Sequence, residues 1–266
     1  MKNLSVYLEE SIFQKYRDAL IAAIFTFGIL LLGIVNIKLT IAFGKPKLDE
    51  KFTKKLRDIT GDENIEIYSL NNPKFDPNAF FAGGKSLYYT KSLDKMLKNE
   101  EELIAILLHE FGHYKGKHVT RNMVTVGVTF YATIYTILKT TKNEDPIVKM
   151  LMFLLMQTGF NIATLPLGRY YEYFSDKYTV QYGYHKHLIS ALKKLEKYIR
   201  KEMCKNMSKE QCDQTIENLH ALDEHPVVKK RIEAVLKEKA KKDRLGENYK
   251  KKGFIRRWIE KAIGEI

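Results

Sequence analysis

The stretch ELIAILLHEFGHYKGKH, Glu102 to His118, sets two histidines four residues apart in an apolar run, with a glutamate directly after the first. At 3.6 residues per turn, His109 and His113 stack on one helix face, and both imidazoles can reach a single ion. Glu110 points about 100° away along the same side, within reach of a water beside that ion. This is the H-E-x-x-H zinc pattern. Neutral imidazole is a good ligand for zinc, and a carboxylate in the second position can take a proton from the attacking water. Asn99 is a suitable N-cap, Glu102 stands where a capping box needs it, and Glu100 and Glu101 suit the positive end of the helix dipole. Leu103, Ile104, Ile106, Leu107 and Leu108 make the helix one that is buried. The competing reading is a pair of hydrogen-bonded core histidines, and a third ligand decides between the two.

That ligand is offered downstream in LGRYYEYFSDKYTV, Leu167 to Val180, where Glu172 and Asp176 share a helical face. Glu172 supplies the third ligand, and Asp176 can orient a ligand histidine through its second ring nitrogen. Arg169, Glu172 and Asp176 open this segment directly after a long apolar run. A third segment, HALDEHPVVKKRIEAVLKE, pairs His225-Pro226 with Arg231-Ile232.

Taken in order, HEFGHYKGKH, RYYEYFSDKYTV and EHPVVKKRIEAV resemble the integral-membrane zinc metallopeptidases of the HtpX and CAAX prenyl protease type. The upstream DPNAFFAGGKSLYYTKSLDKML, Asp76 to Leu97, looks like the strand that runs beside the active site in that family, so the resemblance covers Ile65 to Leu236. It implies that His109, His113 and Glu172 bind one zinc ion and that Glu110 is the general base. It implies further that Asp176 supports a ligand from behind, with Arg169 beside it, and that His225 helps to stabilise the oxyanion. The extended segment Asn78, Ala79, Phe80, Phe81, Ala82 and Gly83 is expected to hold a substrate peptide as an added strand. Asp223-Glu224 stands where many relatives have Ser-Thr, and Ser175 where alanine is common; both departures touch substrate contacts and leave the metal site intact.

The expected fold is mainly α with a small β-sheet: a zincin-like metallopeptidase domain with transmembrane helices. IEIYSL and AFFAGGKSLYYT supply the sheet, and the metal-binding helix packs under it. Ala19 to Ile37 carries no charge and makes a helix of about 28 Å, close to the hydrocarbon thickness of a bilayer. Lysines rather than a cleavage site follow it, which marks a retained anchor. Residues 123–138 and 150–167 are shorter or more polar apolar runs that suit either a membrane hairpin or core helices. The expected organisation is therefore an N-terminal segment (1–18), a span (19–37), a first catalytic part (45–119), the hairpin, a second catalytic part (168–240) and a basic amphipathic end (241–266).

Seven basic residues lie between Lys38 and Arg57 and three before the span, so the positive-inside rule puts the metal site in the cytoplasm, at the cell membrane. The net charge of +13 comes with no nucleic-acid module, and an anionic membrane surface accounts for it. In FIRRWIEKAIGEI, Phe254 to Ile266, the apolar residues share one face, which suits a helix lying in the membrane interface or one docked on the catalytic domain. Cys204 and Cys212 have no metal-ligand spacing and are expected to be reduced thiols in a cytoplasmic domain. The Lys, Glu and Ile bias fits a hyperthermophile source, where disulfides persist inside cells. His185 and His187 are expected in an exposed turn. The implied activity is endopeptidase cleavage of polypeptides, membrane proteins among them. A processing peptidase for prenylated tails and a non-catalytic membrane scaffold are the alternatives.

Overall fold

The computed structural model describes residues 2–141, 145–222 and 226–246, with side chains placed in 16–141, 145–218 and 226–246. Helix α1 (Lys2–Phe43) leads into β1 (Pro46–Leu48), α2 (Glu50–Thr60), β2 (Glu66–Leu70), β3 (Ala79–Phe81), β4 (Ser86–Thr90) and α3 (Lys91–Leu97). Helices α4 (Glu100–Lys115), α5 (His118–Thr140), α6 (Pro146–Gln181), α7 (His185–Met203), α8 (Lys209–Leu222) and α9 (Val228–Leu245) follow. The architecture is the expected one: mainly α, with a small mixed sheet.

The sheet order is β1-β2-β4-β3, with β2 and β4 parallel and the outer pairings antiparallel. IEIYSL and AFFAGGKSLYYT both form strands, the second as a hairpin turned by Gly83 (φ 93°) and Gly84 (φ 71°), conformations that residues with a side chain rarely adopt. Strand β1 is too short to announce itself by alternation. Ile67, Leu87 and Tyr89 point to one face, where they join Leu103, Leu107 and Phe111 of α4 in the core. On the other face Tyr68, Tyr88 and Phe80 stack in a row, with ring centroids 5.5 and 5.4 Å apart, ending at the edge strand β3.

Helix α4 starts at Asn99, whose side chain accepts from the Glu101 N–H. The capping box does not form. Glu102 faces α7 instead, 3% exposed, where it accepts from Ser190 Oγ and Lys194 Nζ, both at 2.6 Å. A buried carboxylate needs those partners more than the exposed cap needs a second bond.

The N-terminal segment and the first apolar run form one helix. Tyr16–Phe43 of α1 and Pro146–Gln181 of α6 are the two helices, among the described residues, long and apolar enough to cross a membrane. Helix α5 packs on both. Asp18, Ala22 and Thr26 of α1, and Thr133 and Ile137 of α5 with its C-cap Thr141, are buried at four-residue spacing, the stripe that each helix presents to a neighbour. Gly127 permits a close approach there: a Cβ would lie 3.3 Å from Leu30 Cδ1.

Two further expectations need correction. Cys204 and Cys212 are joined in a disulfide rather than reduced, because the α7–α8 turn brings their Cα atoms to 5.4 Å. Gly183 (φ 90°) does make a turn, but His185 already belongs to α7 and is partly buried. His225 and Phe254 to Ile266 lie outside the described residues.

Candidate active site

The site forms where α6 crosses α4. A Cβ on Gly112 would lie 2.6 Å from Ser175 Cα, so the glycine of HEFGH is what lets the two helices meet. Close approach brings Glu172, 4% exposed, against both histidines of α4. Glu172 Oε2 lies 3.3 Å from His109 Nε2 and Oε1 lies 3.2 Å from His113 Nε2. The two Nε2 atoms are 3.1 Å apart. One ligand atom from each of the three residues falls within 4.8 Å of the others.

Behind this cluster, His109 Nδ1 is 2.9 Å from Asp176 Oδ1. With the proton on Nδ1 and donated to that carboxylate, the Nε2 lone pair of His109 is turned toward Glu172 and His113. Arg231 of α9 closes the rear: Nε donates to Asp176 Oδ2 (3.0 Å), Nη2 to Asp176 Oδ1 (2.6 Å), and Nη1 lies 3.1 Å from Glu172 Oε2. Glu110 completes the group, its Oε2 accepting from the Phe81 N–H of β3 at 3.0 Å.

The electrostatics favour a cation. Burial lowers the pKa of the His109 imidazole, but Glu172 and Asp176 overcome this and raise it to about 10, so a site without metal draws in a proton. When all are ionised, the carboxylates of Glu110, Glu172 and Asp176 act on the guanidinium of Arg231, and three negative charges outnumber that one cation. Two imidazoles and a carboxylate in this arrangement fit zinc with an open fourth position. Burial also raises the Glu110 carboxyl, against the pull of His109 and His113.

The edge strand is presented beside Glu110. Thr90 N–H donates to Asn78 C=O, which makes Asn78 and Phe80 the residues whose backbone faces β4, so Ala79 and Phe81 turn theirs to the open edge. Ala82 and Gly83 continue this segment into the hairpin turn.

The residues proposed from sequence are thus largely brought together: His109, His113, Glu172, Asp176 and Glu110 at one point, with Asn78 to Gly83 alongside. Arg169 sits on α6 one turn before Glu172 and is half-buried. Sequence reasoning gave no role to Arg231, whose signal was its place in HPVVKKRI, or to His118, whose signal was its place at the end of the opening stretch. His118 Nδ1 lies 2.9 Å from His113 Nδ1, and burial lowers its own pKa to about 3, so it is neutral.

A helix bearing H-E-x-x-H, a glutamate from a second helix and an edge strand beside the base define the metallopeptidase class of site. Residues 55–239 match the model of peptidase family M48, and the chain belongs to that family. It is 25% identical over 188 residues to a CAAX prenyl protease 1 homolog of Arabidopsis thaliana, covering 62% of this chain and 41% of that protein. It is 27% identical over 169 residues to a Protease HtpX homolog of Campylobacter concisus, covering 58% of each. The crystal structure of S. mikatae Ste24p superimposes with a TM-score of 0.59 at 19% identity, over 80% of this chain and 56% of that one, and shows a shared fold. The chain spans less than two thirds of the length of each of these relatives.

Proposed function

We propose that this protein is a membrane-anchored zinc endopeptidase of the HtpX kind, acting on unfolded or damaged membrane proteins. The observation that carries the reading is the convergence of His109, His113 and Glu172 within 4.8 Å, with Glu110 hydrogen-bonded to the edge strand. Zinc held by those three residues supplies Lewis acidity, lowering the pKa of a water and polarising the scissile carbonyl. The Glu110 carboxylate takes the proton from the attacking water and delivers it to the leaving amine nitrogen as the C–N bond breaks. Arg169 is assigned to the surroundings of the site, and the family resemblance gives His225 a role in stabilising the developing oxyanion.

Substrate is held on β3. An added strand pairs with the outward backbone groups of Ala79 and the outward C=O of Phe81, whose N–H is held by Glu110; this reads the peptide backbone more than its side chains. A side chain lying beside Phe80 extends the row of Tyr68 and Tyr88, which adds a preference for apolar residues there. That α1 and α6 are long and apolar enough to cross a membrane supports the anchoring, and the basic residues after α1 favour, by the positive-inside rule, an active site on the cytoplasmic face. The disulfide is compatible with that side in a hyperthermophile, whose intracellular proteins keep such bonds.

Zinc content and casein cleavage of the wild type and Glu110→Gln, purified in mild detergent without chelator, test this reading. One zinc in both, with cleavage lost in the variant by a factor of about 100 or more, is expected. Zinc without casein cleavage, but with cleavage of a prenylated tetrapeptide tail, selects the processing peptidase. Absence of zinc selects the scaffold.

A further inference from the structure

Two imidazoles of the site are held from behind in different ways. His109 has a carboxylate, Asp176, at its Nδ1. His113 has another histidine: His118, the first residue of α5, sets its Nδ1 2.9 Å from the Nδ1 of His113. The ring of His118 is 2% exposed. It is stacked on Tyr171 of α6, with centroids 4.1 Å apart and planes 16° from parallel, and is edged by Phe174 at 5.2 Å. Its remaining nitrogen, Nε2, is buried without a hydrogen-bond partner among the described residues, over a position with no side chain: a Cβ on Gly116 would lie 2.1 Å from it. A polar ring fixed this firmly, with one nitrogen left unsatisfied, has been placed for what the other nitrogen does.

We propose that His118 is a positioning residue for the metal site, which fixes the tautomer and ring plane of His113 by accepting a hydrogen bond from its Nδ1–H. The inference rests on the reading of His109, His113 and Glu172 as zinc ligands. Only one proton can lie between two Nδ1 atoms at this separation. If His118 donated it, His113 would carry its own proton on Nε2 and have no lone pair for the metal. If His113 donates it, the Nε2 lone pair faces His109 and Glu172, and the proton of His118 is left on the unpartnered Nε2. The arrangement that serves the metal therefore accounts for the orphaned nitrogen. A neutral imidazole also supports His113 without adding a negative charge to a site that already holds Glu110, Glu172 and Asp176.

Zinc affinity measured by competition with a chromophoric chelator, on the full chain in mild detergent, separates hydrogen bonding from packing. His118→Phe keeps a flat ring against Tyr171 but has no acceptor. His118→Asn gives up the stack but can set its amide oxygen near the place of Nδ1. The expected result is a loss of affinity of about 10- to 100-fold in His118→Phe, with His118→Asn within a few-fold of the wild type even where its melting temperature falls. Gly116→Ala, compatible with the backbone at φ −75°, displaces the ring and is expected to lose affinity like the phenylalanine variant. Should His118→Phe fail to fold, the asparagine and alanine variants decide between hydrogen bonding and packing. Full affinity in His118→Phe or Gly116→Ala, or an equal loss in His118→Asn, overturns the inference. A wild type that binds no zinc overturns instead the ligand assignment on which it rests.

Discussion

Arg231→Met is the substitution with the largest consequence that the structure allows to be worked out. Arg231 is 8% exposed, and its guanidinium makes two bonds to Asp176, at 3.0 and 2.6 Å, with Glu172 Oε2 at 3.1 Å. Methionine fills similar volume but leaves two carboxylates buried without their cation. Removing one partner of a buried ion pair costs about 3–5 kcal/mol, because the remaining charge stays desolvated. For a domain of this size that corresponds to a fall in melting temperature of roughly 6–20 °C. Thermal unfolding in detergent, with metal stripped and with zinc restored, reads it. Zinc supplies positive charge to Glu172 and leaves Asp176 uncompensated, so the gap between variant and wild type narrows in the loaded protein without closing. A double-mutant cycle with Asp176→Asn completes the test. Once the carboxylate is neutral the guanidinium has less to balance, and the double variant is expected to lose clearly less than the sum of the single losses. A cost under about 1 kcal/mol, or strict additivity, would refute the placement of Arg231 as the counter-charge of the site.

Gly112→Ala is expected to cost about 1–3 kcal/mol through overpacking of α4 against α6, and to weaken zinc binding because it moves His113 away from Glu172; unchanged melting and affinity would sink this. The Asp62 carboxylate accepts from Lys115 Nζ at 2.5 Å. Burial raises its pKa, but the lysine outweighs that and holds it below the usual range. Its stabilisation is present above the unfolded value of about 3.9 and lost as pH falls through the lower folded one. With Lys115 38% exposed, Asp62→Asn should cost no more than about 1 kcal/mol at neutral pH, and the difference from wild type should begin to shrink below about pH 4 and vanish once the pH lies below the depressed folded pKa; a difference that stays constant through that fall contradicts the pairing. The Cys204–Cys212 bond closes a loop with a sequence separation of 8, for which chain entropy gives about 2.5 kcal/mol. Reductant should lower the melting temperature accordingly, and native protein should contain no titratable thiol; two free thiols would return the pair to the reduced state expected from sequence.

The cluster that could hold a metal was legible because helix periodicity converts sequence spacing directly into geometry: His109 and His113, and likewise Glu172 and Asp176, are each one turn apart. The strands were legible for a similar reason, through alternation and the Gly83-Gly84 turn. What escaped was contact between elements distant in the chain. Arg231 reaches Asp176 across 55 residues, and its place in HPVVKKRI marks it without saying what it touches. His118 was visible, yet its partner lies five residues away across the break between α4 and α5, where Lys117 adopts φ 52°. No regular period predicts a contact across such a break. Glu102 failed in the opposite sense: its local capping role was well founded, and a lysine 92 residues away took it.

The apolar helices and the metal site are one construction rather than an anchor with an enzyme attached. Helix α5 begins at His118, against His113, and α6 runs without a break from Pro146 through its apolar part to Tyr171, Glu172 and Asp176. Pro166 lies between the two parts and the helix continues through it, so one helix carries both the apolar face and Glu172. Leu151, Leu154 and Leu155 on that face are exposed, and a bilayer is the surrounding in which such a surface is stable. Whatever packs on the apolar part of α6 therefore bears on the orientation of Glu172, through the helical backbone that carries both.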